Sequence, residues 1–120
     1  MIISRFDNCK EIVAGDGVIL RELLSPAATR ELEMRYSLAH AKLAPGLTSF
    51  LHIMKTSEVY YILAGAGLVR IDDEEAEVYP GDSVYIPPGA KQQITSIGEE
   101  ELVFLAIVDP AWRPEDEVIL

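Results

Sequence analysis

The sequence predicts an all-β domain, a sandwich or barrel of short strands. Three observations carry this. Apolar runs of strand length, several rich in β-branched and aromatic residues, recur at 59–63, 68–71, 76–79, 84–86, 92–97 and 102–108. Clusters of glycine, proline and acidic residues separate them at roughly 8–12-residue spacing, the pattern of an all-β fold. Leu32, Met34, Tyr36, Leu38 and His40 alternate with Glu31, Glu33, Arg35, Ser37 and Ala39, a period of two that marks a strand with one buried face.

Each element follows from local chemistry. Ile12-Val13 and the run from Val18 to Leu24 flank Gly15-Asp16-Gly17, which reads as a hairpin turn. Ser25-Pro26-Ala27-Ala28-Thr29 reads as a loop, because Ser-Pro favours a turn. The alternating stretch then predicts a strand whose buried parity includes His40, with Lys42 in the same phase, and Ala44-Pro45-Gly46 ends it. Ala64-Gly65-Ala66-Gly67 turns between two strands, since glycine reaches positive φ without steric cost. Asp72-Asp73-Glu74-Glu75 is a polar turn without calcium-loop spacing. Pro80-Gly81-Asp82, Pro87-Pro88-Gly89 and Gly98-Glu99-Glu100 punctuate the later strands. The segment from Pro110 to Glu117 breaks the strand pattern, and Trp112 between its two prolines is expected to plug a barrel face or a subunit contact.

A chain of 120 residues is one domain. With 49% hydrophobic residues it can form a real core. No apolar run approaches the ~20 residues of a membrane helix, and the start lacks a signal-peptide pattern, so the expectation is a soluble, cytoplasmic protein. Twenty acidic against ten basic side chains give a net charge of −10. That charge repels phosphate backbones and anionic lipid, so neither nucleic acid nor membrane is an expected partner. Cys9 is the only cysteine, which fits a reducing compartment and a structural thiol.

One stretch is more specific. Gly46, five residues, His52-x-Met54, three residues, Glu58, six residues and Gly65 form its first half. Gly81, five residues, Pro87-x-Gly89, two residues, Gln92, three residues and Ser96 form its second. This resembles the two-part signature of the cupin superfamily, with Met54 and Gln92 where the signature has histidines and Ser96 where it has asparagine. The resemblance implies a jelly-roll barrel, a double-stranded β-helix, with N-terminal strands over 1–31, a barrel core over 32–109 and a tail over 110–120. It also implies that positions 52, 54, 58 and 92 converge inside the barrel.

The expected site follows from that convergence. His52, Glu58 and Gln92, with His40 as a possible fourth ligand, are the candidates to hold a divalent metal such as Zn, Mn, Fe, Ni or Cu. Gln92, Tyr60 and Met54 are the candidates to contact a small-molecule ligand. Glu58 is the candidate for catalysis, as general base or metal ligand. Blander roles compete at each position. Met54 fills core gaps well, Glu58 can pair with Lys55 or Lys91, His40 can be a buried neutral histidine, and Tyr85 serves as well in the core as in the cavity. Two readings stand: a metal-binding cupin, enzymatic in the manner of isomerases or dioxygenases, or a metal-free binding or structural module. Either is expected to be a homodimer, because an all-β chain of this size must protect its sheet edges.

Overall fold

The computed structural model describes residues 1–29 and 31–120. Arg30, inside the N-terminal segment expected over 1–31, lies outside the described residues. Among the described residues eleven strands run in order: β1 (Glu11–Val13), β2 (Ile19–Leu24), β3 (Ser37–Leu43), β4 (His52–Met54), β5 (Ser57–Ala64), β6 (Gly67–Ile71), β7 (Glu74–Val78), β8 (Ser83–Ile86), β9 (Lys91–Ser96), β10 (Leu102–Asp109) and β11 (Glu117–Ile119). They form two antiparallel sheets, β1-β2-β3-β10-β5-β8 and β11-β4-β9-β6-β7. The architecture is the expected jelly roll, with sheets that face one another and are not closed into a continuous barrel.

Alternation decides what enters the space between the sheets. In β10 every second residue from Leu102 to Val108 is buried, and β3 buries Ser37, Ala39, Ala41 and Leu43 in the same way. One end of the interior is filled by branched aliphatic side chains. Leu43, Ile62 and Leu102 from the first sheet meet Val69 and Ile94 from the second, all within one core cluster. Burying each such side chain contributes about 1.5–3 kcal/mol. Gly65 makes this end possible. It turns the chain at φ 78° between β5 and β6, and a Cβ there would lie 2.5 Å from the Glu101 carbonyl oxygen.

Three expectations are corrected. The alternating stretch predicts a strand from residue 32, but β3 starts at Ser37 and its buried parity is the opposite one. His40 and Lys42 therefore point away from the interior. The N-terminal segment covers that outer face instead: the Phe6 ring meets the His40 ring edge-on at 4.8 Å, and Lys42 Nζ lies 3.2 Å from Glu11. The inner positions carry small residues because a cavity lies against them. The tail also differs, since Glu117–Ile119 returns to strand geometry and pairs with β4. Finally, Tyr85 is exposed on the outer face of β8 and belongs to no core.

Candidate ligand-binding site

The other end of the interior is a cavity of about 40 Å³, room for roughly three waters. Its walls come from the first hairpin, four of the later strands and the tail. Ala14, Asp16, Val18, Leu20 and Glu22 enter from the first hairpin, Ala39 and Ala41 from β3, and Phe104, Ala106 and Val108 from β10. His52 and Met54 from β4, Glu58 and Tyr60 from β5, and Trp112 and Glu117 from the tail complete it. Ala39, Ala41 and Ala106 leave the space that leucine and isoleucine fill at the opposite end.

His52 is held by its own strand entrance. Its Nδ1 lies 2.9 Å from the Phe50 carbonyl oxygen. A carbonyl only accepts, so Nδ1 carries the proton, and in the neutral ring Nε2 presents a lone pair. Nε2 sits 3.8 Å from Asp16 Oδ2, too far for a direct hydrogen bond. Asp16 is fixed by the turn it starts: its Oδ1 accepts the Val18 N–H at 3.1 Å, while Gly17 at φ 88° bends the chain behind it. On β11, Glu117 Oε2 accepts the indole N–H of Trp112 at 3.2 Å.

Glu58 is buried, and its Oε1 has no hydrogen-bond partner among the described residues. Burial, reinforced by the charges of Asp16 and Glu117, pushes its carboxyl up to about 8. The Gln92 amide beside it offsets only part of that rise, and no hydrogen bond of good geometry joins Gln92 Nε2 to it. Gln92 Oε1 instead accepts the Tyr60 hydroxyl at 3.3 Å. Burial also holds the Tyr60 phenol well above its ordinary range. Glu22 is the second strained acid: burial raises it to about 7, and its Oε2 is buried without a partner among the described residues.

The structure thus brings His52, Met54, Glu58 and Tyr60 to one cavity and joins Gln92 to Tyr60. It does not bring His40, which lies outside the cavity on the opposite face of β3; desolvation and the nearby Arg21 and Lys42 charges lower its pKa. The pairing of Glu58 with Lys55 or Lys91 does not form among the described residues. Sequence reasoning missed Asp16, Glu22 and Glu117 as wall residues. For two of them a signal existed: Ala14, Asp16, Val18, Leu20 and Glu22 share one strand parity, and all five line the cavity.

The comparisons agree with this geometry. A cupin-domain family model matches residues 39–108. The chain belongs to the cupin family. An uncharacterized protein of Methanocaldococcus jannaschii is 40% identical to this cupin over 121 residues, covering 100% of this chain and 95% of that one. An oxalate-binding protein of Thermotoga maritima is 32% identical over 71 residues, 58% of this chain and 59% of that protein. The structure of oxalate decarboxylase from Bacillus subtilis superposes with a TM-score of 0.80 at 26% identity, spanning 100% of this chain and 33% of that one. No helix among the described residues is long and apolar enough to cross a membrane.

A divalent metal would need several strong donors at one point. Of the four motif positions, only His52 and Glu58 offer an imidazole or carboxylate. Among the described residues no three His, Cys, Asp or Glu side chains converge as a metal site. Met54 is a weak, soft donor, and Gln92 Oε1 is already engaged by Tyr60. This donor set does not fit a tightly held resident metal.

Proposed function

We propose that this cupin binds a small polar molecule directly through its cavity side chains, with Glu58 as the principal contact. The observation that supports this most is the Glu58 Oε1 atom, buried at the cavity wall with no partner among the described residues. Leaving such an atom unpaired costs about 1–3 kcal/mol, which a bound ligand would recover. His52 Nε2 and Asp16 Oδ2 flank the same space. The apolar walls would exclude water and orient what enters.

The ligand of the oxalate-named relatives does not carry over readily. Asp16, Glu22, Glu58 and Glu117 all line this cavity, and among the described residues no Lys or Arg does. A dianion there would be desolvated with no cationic partner among the described residues, beside acids that repel it wherever they are ionised. We take the chain to act as a homodimer, because Tyr61, Leu63 and Tyr85 lie exposed on the outer faces of the paired strands β5 and β8. Light scattering at micromolar concentration tests that point, and a monomer would remove it.

Binding itself is tested by calorimetry on chelator-treated protein with a panel of two- to four-atom neutral, anionic and cationic compounds. At least one should bind the parent and bind Glu58→Gln about tenfold more weakly. A panel without binders, alongside stoichiometric binding of Zn, Mn or Ni, would replace this proposal with the metal-site reading.

A further inference from the structure

We infer that the ligand is a compact cation carrying several N–H donors, a primary ammonium with at most a short apolar substituent. The inference rests on the small-molecule reading above and assigns its chemical class.

The cavity's free polar atoms are almost all acceptors. Glu58 Oε1 and Glu22 Oε2 are buried without partners among the described residues. Asp16 Oδ2 faces His52 Nε2 at 3.8 Å with no hydrogen bond between them. With Nδ1 donating to the Phe50 carbonyl, Nε2 of that tautomer is an acceptor as well. A donor placed between it and Asp16 Oδ2 would bond to both. Of the nearby donors, the Trp112 indole N–H goes to Glu117 and the Tyr60 hydroxyl to Gln92, which leaves the Gln92 Nε2 amide beside Glu58 as the one free neutral donor among the described residues. A proton on an acid fills one acceptor when nothing else is there, but it cannot fill the set.

An ammonium group presents three donors and no acceptor. It matches Glu58, Asp16 and His52 in number and in kind, and its charge offsets the mutual repulsion of the four wall carboxylates. The rest of the wall fixes the rest of the ligand. Val18, Leu20, Met54 and Val108 are apolar, so a short alkyl substituent is accommodated. Phe104, Tyr60 and Trp112 supply aromatic rings on the same wall, and aromatic faces attract cations. A volume of about 40 Å³ limits the substituent to a few heavy atoms.

The test compares isosteres of different charge on chelator-treated protein. Methylammonium and ethylammonium, acetamide and acetate are titrated by calorimetry and by ligand-observed NMR. The expected result is one saturable ammonium site per chain, with acetamide and acetate at least about tenfold weaker. Glu58→Gln and, separately, Glu22→Gln should each weaken ethylammonium about tenfold. The two variants remove charge at different walls, so misfolding of one leaves the other to decide. Tighter binding of acetamide or acetate than of the ammonium ions would overturn the cationic assignment while keeping the small-molecule reading. Binding of none of the four would overturn the assignment, and the wider panel would then decide the parent proposal separately.

Discussion

Three strands, β3, β5 and β10, run through both ends of the interior between the sheets and send different side chains into each. On β3, Leu43 fills one end while Ala39 and Ala41 stand at the other. On β5, Ile62 is fully buried at the first end, and Glu58 and Tyr60 face the cavity at the second. On β10 the exchange is Leu102 for Ala106. A step of two or four residues along one strand thus separates dense packing from an acid-lined space. The filled end supplies stability. The hollow end spends some of it, holding carboxylates out of water beside side chains too small to close over them.

The contrast makes opposite predictions for the two ends. At the filled end Ile62→Ala should cost about 2–5 kcal/mol in urea denaturation, because no neighbour can collapse into the space. At the hollow end Glu58→Gln should stabilise. The Glu58 carboxyl rises from an ordinary value of 4.5 to about 8 on folding. Between those values the folded chain keeps a proton that the unfolded chain has released, so stability falls as pH rises and levels off above about 8. Glu22, raised to about 7 by burial, adds to the fall over the lower part of the same window. The Gln variant should match the parent near pH 4.5 and exceed it by on the order of 3 kcal/mol at pH 9. A variant no more stable than its parent at pH 9 would mean that Glu58 is not strained.

Smaller effects sharpen the comparison. Trp112→Phe removes the indole donor to Glu117 and should cost about 1–3 kcal/mol, since a half-buried carboxylate loses its partner. His40→Ala should cost under about 1 kcal/mol through the lost Phe6 contact and leave ligand affinity unchanged. An affinity loss in His40→Ala equal to that of His52→Ala would return His40 to the site.

The legible part of this molecule was the part set by backbone geometry. The glycines and prolines of the motif announced the turns, and of the four positions that the resemblance brings together His52, Met54 and Glu58 line the cavity, while Gln92 meets it through Tyr60. What misled was parity without context. The stretch from Leu32 to His40 alternates convincingly, yet only Leu38 and His40 of its larger residues belong to β3, and they face outward, where Phe6 meets His40. A pattern of period two cannot say which face will find a cover. Small residues at Ser37, Ala39 and Ala41 were the better sign, since a cavity needs short side chains around it. Glu117 had no local signal. Its role depends on β11 pairing with β4, a contact between residues more than 60 apart in sequence.

Asp16, Glu22, Trp112 and Glu117 all lie outside the 39–108 stretch that identifies the family. Three of the four acids on the cavity wall therefore lie outside the shared scaffold, which supplies Glu58. Substitutions in the flanks can change what is recognised without disturbing a single glycine of the motif. In a lineage of such proteins, ligand preference is free to drift while the signature stays intact, and sorting them by signature alone would group molecules with opposite tastes.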